Sequence, residues 1–163
     1  MIIVCDSAPL LALAVCGQLD LLEKLYNEVL IPEAVFQEAT VSDKPYADTI
    51  AEWAQGKIVE ITDTEFFLAV KPALHKGEAE AITLYKEKSA DFLLIDEKKG
   101  RKVAEYYDVK IIGTIGLLLK AKQEGILPRI KPYIELLQQS TIRIAPELYQ
   151  RALERAGENK SVS

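Results

Sequence analysis

Two apolar runs that each end in an aspartate constrain the fold of this chain more than any other feature. The run Phe92-Leu93-Leu94-Ile95 ends in Asp96, and the chain opens with Ile2-Ile3-Val4-Cys5 before Asp6. Uninterrupted apolar runs of this length, followed by turn residues, are typical of strands covered on both faces in a parallel sheet. Such sheets bind ligands just outside the carboxyl ends of their strands. The sequence therefore predicts two carboxylates at one sheet edge, where an acid needs a partner, most often a cation.

Length and composition indicate one globular domain. The 163 residues are 49% hydrophobic and 28% charged, which suits a single domain with a sizeable core. We expect that domain to span residues 1–156, followed by a flexible tail over 157–163. No apolar run has the length of a membrane span, and the apolar start lacks the basic flank of a signal peptide. We therefore expect a cytoplasmic protein with no membrane partner.

Several kinds of site have no support in the residue types. His75 is the only histidine, which argues against a histidine-based zinc site and a Ser-His-Asp triad. Cys5 and Cys16 lie in apolar stretches and are expected to be reduced, buried thiols. There is no P-loop or dinucleotide glycine motif, and Ala8 stands where a phosphoaspartate hydrolase has its second acid. The net charge of −5 argues against coating nucleic acid by overall charge, but it does not exclude a local basic patch.

Predicted strands alternate with predicted helices along the whole chain, which indicates a parallel α/β sheet with right-handed crossovers. The predicted strands cover residues 2–5, 29–31, 58–61, 92–95, 109–112 and 142–144. The predicted helices cover residues 9–16, 19–26, 32–39, 46–55, 65–70, 78–88, 98–107, 115–124, 128–138 and 146–156.

Two glutamates lie on the faces of predicted helices that should be buried. At about 100° per residue, Glu78 falls on the same side of its helix as the apolar positions, whereas Glu80 and Glu87 fall on the opposite side. Glu38 likewise lies in the apolar arc of its helix. We therefore expect Glu78 and Glu38 to point inward and Glu80 and Glu87 to face solvent. An inward acid is costly unless it is paired or bound to a metal.

Together with Asp6 and Asp96, these acids are compatible with a hard-cation site. Three or four carboxylates in one pocket suit Mg²⁺ or Mn²⁺, which activates water and holds a phosphate for hydrolysis. The basic residues Lys98, Lys99 and Arg101 follow at a helix start, where a phosphate is also favoured. Each feature alone has a purely structural reading: the acids as caps or ion-pair partners, the basic residues as a solvated helix face.

Four segments taken together resemble the PIN-domain nucleases, and in particular a toxin-like, VapC-related branch with a Gly-Glu-Ala-Glu-Ala-Ile box. They occur in the family's order and span residues 4 to about 125. The segments are Val4-Cys5-Asp6-Ser7-Ala8-Pro9-Leu10, Ile31-Pro32-Glu33-Ala34-Val35-Phe36-Gln37-Glu38, Gly77-Glu78-Ala79-Glu80-Ala81-Ile82 and Leu94-Ile95-Asp96-Glu97-Lys98-Lys99-Gly100-Arg101-Lys102-Val103-Ala104.

The resemblance implies a Rossmann-like, three-layer α/β/α sandwich with a central parallel sheet. It implies endonucleolytic cleavage of single-stranded RNA with Mg²⁺ or Mn²⁺. Many proteins of this kind are toxins of toxin–antitoxin pairs, which a small partner protein neutralises, and many form homodimers. The residues at the catalytic and metal-binding positions are Asp6, Glu38, Glu78 and Asp96. Ser7 and Glu97 are expected to support the pocket, and Lys98, Lys99 and Arg101 to contact RNA.

The chain also departs from the family's pattern. Glu78 stands where the better-known toxins have Asp, Leu94 where they have Thr or Ser, and Lys98 where they have a further acid, for which Glu97 is the available substitute. These departures motivate a second hypothesis, a catalytically weak PIN-like module that binds RNA or protein. A third hypothesis is another metal-dependent phosphohydrolase that acts on small substrates.

Overall fold

The structure is a computed structural model that describes residues 1–159, and residues 160–163 of the predicted tail lie outside the described residues. Within residues 1–159, five strands form one sheet in the order β3-β2-β1-β4-β5, and every neighbouring pair is parallel. The strands are β1 (Ile2–Cys5), β2 (Glu28–Pro32), β3 (Ile58–Val59), β4 (Phe92–Leu94) and β5 (Ile111–Ile112).

Helices connect the strands and close the chain. They are α1 (Ser7–Val15), α2 (Leu21–Leu25), α3 (Glu33–Ala39), α4 (Ala47–Trp53), α5 (Thr64–Val70), a 3₁₀ helix (Lys71–Ala73), α6 (Lys76–Glu87), α7 (Lys98–Tyr106), α8 (Thr114–Gln123), α9 (Lys131–Gln139) and α10 (Pro146–Ala156). Among the helices of residues 1–159, none combines the length and the apolar character that a membrane crossing requires.

The core lies on both faces of the sheet because successive side chains of a strand point in opposite directions. Ile3 and Cys5 of β1 join a cluster with residues of α1, α2, α3, α4 and α8. Val4, between them, joins a second cluster with residues of α5, α6 and α7. A third cluster packs α9 and α10 on the outer side of α8. The three-layer α/β/α sandwich with a central parallel sheet is therefore confirmed.

The sheet topology places the ends of β1 and β4 at the usual position of a ligand site. From β1 the chain moves outward to β2 and β3, and it then crosses back to β4 and β5. The strand order therefore reverses between β1 and β4, and open parallel sheets bind ligands outside the carboxyl ends of their strands at this boundary. Cys5 pairs with Leu94 in the register of the two strands. Asp6 follows directly, and its backbone N–H donates to the carbonyl of Leu94 at 3.0 Å.

The predicted strand over residues 142–144 is wrong. This segment has no strand partner within residues 1–159. Gln138 of α9 instead bonds both backbone groups of Ile144, donating to its carbonyl at 3.2 Å and accepting from its N–H at 3.4 Å. Ile142 and Ile144 pack on a small cluster beside α1 and α9. Their alternation reflects burial on a helical surface rather than pairing in the sheet.

The chain remains packed beyond α10. Glu158, in the segment predicted to be a flexible tail, accepts hydrogen bonds from the backbone N–H groups of Ile130 and Lys131 at 2.9 and 3.0 Å. It also forms an ion pair of 2.8 Å with Lys122. The carboxylate therefore stabilises the start of α9, where backbone donors lack partners within the helix.

Candidate active site

Asp6 lies at the centre of the rim formed by the strand ends. It follows β1 directly and its residue surface is only 4% exposed. The pKa of Asp6 is raised to about 7: burial is the largest cause, the backbone N–H of Ser7 opposes it, and the neighbouring carboxylates of Glu78, Glu38 and Glu97 add to it. Burial disfavours the ionised form, and nearby negative charge adds to that effect. Asp6 is therefore an acid whose ionised form needs a nearby cation.

Glu78 has one satisfied and one unsatisfied oxygen. It lies in the first turn of α6, and its Oε1 accepts the backbone N–H of His75 at 3.1 Å. Its Oε2 is buried and has no hydrogen-bond partner among the described residues. Burial raises the pKa of Glu78, the N–H of His75 lowers it, and the adjacent Glu97 raises it. A buried carboxylate oxygen without a donor is costly, so a ligand is expected there.

Glu38 and Glu97 complete what we call the carboxylate pocket, formed by Asp6, Glu38, Glu78 and Glu97. The prediction that Glu38 is buried is wrong, since the residue is exposed; its carboxylate nevertheless contributes to the raised pKa of Asp6. Glu97, also exposed, lies close enough to raise the pKa values of both Asp6 and Glu78. Glu97, expected from the sequence to support the pocket, lies within it beside Glu78.

Asp96 is directed to a different neighbour. Its Oδ1 accepts the backbone N–H of Thr114 at 2.8 Å, and its Oδ2 accepts the Thr114 hydroxyl at 2.6 Å. Asp96 therefore holds the first residue of α8 at the rim, next to β5. A carboxylate has about four acceptor sites, so these two bonds leave Asp96 capacity for a further ligand.

Three glycines leave room for the acids at positions where any side chain would intrude. An added Cβ would lie 2.9 Å from Oε2 of Glu38 at Gly77, 2.9 Å from Oε2 of Glu78 at Gly100, and 2.8 Å from Oδ1 of Asp96 at Gly113. Such separations are shorter than ordinary contacts, so each substitution would displace a carboxylate or the glycine backbone. Glycine at these three positions therefore allows the carboxylate oxygens to lie where they do.

The prediction that Glu80 faces solvent is wrong, whereas Glu87 keeps a partly exposed surface. Glu80 is buried, and its Oε1 accepts the backbone N–H of Ala34 in the first turn of α3 at 3.0 Å. Glu87 is half-buried and accepts the N–H groups of Thr62 and Asp63. The reason is that α6 packs against the sheet on one side and against α3 and α5 on others. Glu80 thereby ties the helix that carries Glu38 to the helix that carries Glu78.

The basic residues after Asp96 do not all face the rim in the same way. Lys98 and Lys99 are exposed, whereas Arg101 is half-buried and its Nη1 donates to the carbonyl of Ile95 at 3.3 Å. Ser7, half-buried in the first turn of α1, contributes its backbone N–H to Asp6.

Sequence reasoning missed two residues beside these acids. His75 lies next to Glu78, and Thr114 binds Asp96. His75 precedes the glycine–glutamate box by only two residues, which was the available signal. Thr114 follows a strand and a glycine, a pattern that indicates a helix start rather than a site.

The residues present fit a divalent cation. Ligand atoms of His75, Glu78 and Glu97 all lie within 4.8 Å of one another, and buried Asp6 and the carboxylate of Glu38 lie alongside. The unpartnered Oε2 of Glu78 and the space beside Gly100 are where such an ion would relieve the cost of burial. A set dominated by carboxylates, with one imidazole at its edge, suits Mg²⁺ or Mn²⁺.

A family model described as a PIN domain matches residues 2–158, which is nearly the entire chain. Neither the curated proteins nor the solved structures give a match. The family match indicates a nuclease-type function and, with it, the divalent metals that such nucleases generally use. The finer relation, to a branch with a Gly-Glu-Ala-Glu-Ala-Ile box and to VapC toxins, stays a prediction.

Proposed function

Because this chain belongs to the PIN-domain family, we propose that it is a Mg²⁺- or Mn²⁺-dependent endoribonuclease that cleaves single-stranded RNA. The carboxylate pocket carries the proposal, and above all the buried Oε2 of Glu78, which has no protein donor. A pocket of this kind is costly in the metal-free protein and becomes favourable when a cation is bound.

We propose that Asp6, Glu38, Glu78 and Asp96 hold the cation and that Glu97 joins them. When bound, the cation supplies activation of water and stabilisation of charge on the phosphate. Both carboxylate oxygens of Asp96 accept a hydrogen bond from Thr114 at the start of α8, and each keeps a further acceptor site for the cation. The hydrogen bonds from Thr114 therefore hold the Asp96 carboxylate in its orientation.

The roles of the other pocket residues follow from the chemistry of phosphodiester hydrolysis. Water attacks the phosphorus and one P–O bond breaks, so no covalent enzyme intermediate and no nucleophile–base pair is required. Glu78 and Glu97, whose carboxylates adjoin, are placed to orient that water and take up its proton. Lys98 and Lys99 are exposed just after Asp96, and Arg101 reaches the carbonyl of Ile95 just before it, so all three are assigned to phosphate.

The test is cleavage of a labelled single-stranded RNA pool of mixed sequence with Mn²⁺ or Mg²⁺, and with EDTA as the metal-free arm. Wild type, Asp6→Asn and Asp43→Asn are compared. Asp43 is exposed in the loop before α4, so its substitution makes the same chemical change away from the pocket. Metal-dependent cleavage by wild type and Asp43→Asn, with loss in Asp6→Asn, is the expected result. Equal cleavage by all three would refute the assignment of the pocket.

We further propose that the protein is the toxin of a toxin–antitoxin pair and acts as a homodimer, as the resemblance to toxin-like PIN proteins implies. Induced expression of wild type should then arrest bacterial growth, whereas expression of Asp6→Asn to the same level should not. Light scattering of the purified protein should give twice the monomer mass. Growth unaffected by an active nuclease would exclude the toxin role without affecting the proposed chemistry.

One observation favours a second candidate, a catalytically weak module that binds RNA. Both oxygens of Asp96 are engaged by Thr114, so Asp96 has a structural role that needs no metal. Asp96→Asn separates the nuclease from the binding module. The amide keeps an acceptor for the N–H of Thr114, so the structural role remains, but it loses the negative charge that a metal ligand supplies. RNA binding without Mn²⁺ binding by calorimetry, in wild type, would favour the module.

A further inference from the structure

Beyond Asp96, the rim opens into a cleft of about 560 Å³. Its walls come from the β5–α8 connection, the segment between α9 and α10, and α10 itself. Four arginines line it, and we call it the arginine cleft: Arg101, Arg143, Arg151 and Arg155.

The arginine cleft concentrates positive charge in an acidic protein. The chain has a net charge of −5 and five arginines, and four of the five line this cleft. Ion pairs within residues 1–159 involve Lys57, Lys122 and Arg129, and none involves the four cleft arginines. Asp96 is the only acid among the lining residues. Guanidinium groups gathered without carboxylate partners are suited to an anionic ligand, and arginine is the side chain best matched to phosphate.

Between the arginines, the cleft is apolar. Aliphatic side chains from β5, from α8 and from the segment before α10 form its floor, with Ile111, Ile142 and Ile144 among them. A phosphate alone needs no such surface. A nucleotide does, because its base and sugar have apolar faces while its phosphate is charged. The combination therefore matches a nucleic-acid strand better than an inorganic anion.

The arginine cleft begins at Asp96, on the rim of strand ends that also carries Asp6. Arg101 lines the cleft and donates to the carbonyl of Ile95, the residue directly before Asp96. Asp96 and Thr114 also line the cleft and form its boundary with the rim. A strand with one phosphate at the carboxylate pocket would thus place neighbouring nucleotides against the arginines.

We propose that the arginine cleft binds the backbone of single-stranded RNA on one side of the phosphate to be cleaved. This inference rests on the proposed ribonuclease function and names where its substrate lies. Arg151 and Arg155, four residues apart on one face of α10, contact successive parts of the strand, and Arg143 contacts it from the segment between α9 and α10.

Binding without cleavage tests the proposal directly. The probe is a fluorescein-labelled single-stranded RNA of mixed sequence, titrated in EDTA and followed by fluorescence anisotropy over a range of salt concentrations. Arg151→Gln and Arg155→Gln should each weaken binding roughly fivefold at low salt. Each should also reduce the slope of log affinity against log salt by about 0.7, the value for one phosphate contact on a single strand.

Two matched variants serve as controls. Arg129→Gln removes an arginine that is exposed and lies outside the cleft, and it should leave affinity and slope unchanged. Arg151→Lys keeps the charge and should restore the slope. Because Arg151 and Arg155 are exposed, these variants should fold, which circular dichroism checks.

Loss of binding and slope in the cleft variants alone supports the proposal. RNA binding by the cleft variants equal to that of Arg129→Gln would overturn the proposal. It would also be overturned if the cleft variants kept their RNA binding but lost affinity for a polyglutamate peptide, because that result would assign the cleft to an acidic protein partner. Cleavage in Mn²⁺ is scored separately. A wild type that binds RNA through the cleft but never cleaves it refutes the nuclease function alone, whereas normal cleavage with unaffected cleft variants refutes only this inference.

Discussion

Asp6→Asn should make the metal-free protein more stable at alkaline pH, although it removes a proposed metal ligand. In the fold Asp6 is buried beside three other carboxylates, and its pKa rises from 3.8 to about 7. Each unit of that difference corresponds to about 1.4 kcal/mol. The full difference gives an upper limit of about 4 kcal/mol, and entry of water into the pocket reduces it to roughly 2–4 kcal/mol.

The sign of this effect depends on pH. Since the folded protein raises the pKa of Asp6, the protonated carboxyl is favoured by folding. That contribution is fully present below about pH 4 and is lost as the pH rises through about 7. Asparagine cannot ionise, and its carbonyl can still accept the N–H of Ser7. The stability difference between Asp6→Asn and wild type should therefore be small at low pH and reach its maximum above neutrality.

Thermal unfolding in EDTA at about pH 5 and about pH 8 measures the effect. For a chain of this size, 1 kcal/mol shifts Tm by about 2–4 °C, so Asp6→Asn should unfold roughly 5–15 °C above wild type at the higher pH. Asp43→Asn, on the exposed loop, should show no such change. A Tm for Asp6→Asn below that of wild type at pH 8, or a difference independent of pH, would refute the reasoning.

Mn²⁺ should remove most of the stability difference between the two proteins. A ligand that binds only the folded state at about a hundred times its Kd adds about 2.7 kcal/mol of stability. Wild type should gain this at pH 8 and less at pH 5, where Asp6 holds a proton, whereas Asp6→Asn should gain little at either pH. Equal stabilisation of both proteins by Mn²⁺ would show that the ion binds elsewhere.

Three further substitutions test the supports of the site. Glu80→Ala should lower the free energy of unfolding by roughly 1–3 kcal/mol, because the N–H of Ala34 loses its buried acceptor, and Glu80→Gln should recover most of this in a urea titration. Gly100→Ala should weaken Mn²⁺ binding measured by calorimetry, since its Cβ would lie 2.6 Å from Cδ1 of Ile95 and 2.9 Å from Oε2 of Glu78. Burial raises the pKa of Glu158, but its hydrogen bonds to Lys122 and to the start of α9 outweigh this and hold it below its ordinary value. Glu158→Gln should therefore cost stability at neutral pH and lose that deficit on acidification, which urea titrations at several pH values would detect.

The sheet was predictable because its strands are defined by local features. The strand ending at Cys5 matches its predicted bounds, and the run before Asp96 gives β4 within one residue. An apolar run that is buried on both faces has one structural solution in an α/β protein. The segment at 142–144 misled the same reasoning, since alternation reports which side chains are buried and not what buries them.

The candidate site was predictable only in part. A helical projection assigns one buried face to a helix, and it correctly predicts that Glu78 is buried. It failed for Glu80 because α6 has more than one packed face, and the second is created by α3, a helix nearly fifty residues earlier in the chain. Likewise, the end of β4 fixes the edge at which Asp96 lies, but not the direction of its carboxylate. That direction depends on Thr114, which only the folded topology brings to it.

The arginine cleft shows why net charge is a poor guide to partners. A value of −5 argues against nucleic acid only if charge is spread evenly, and here the acids and the arginines are segregated along one rim. The spacing of Arg151 and Arg155 predicts a shared helix face, but nothing local relates them to Arg101, about fifty residues away. Their convergence follows from α10 packing across α8, which starts at the residue that Asp96 holds. The same contact that orients Asp96 therefore positions the basic wall against the acidic pocket, and a substitution that loosens α8 should impair both metal binding and RNA binding.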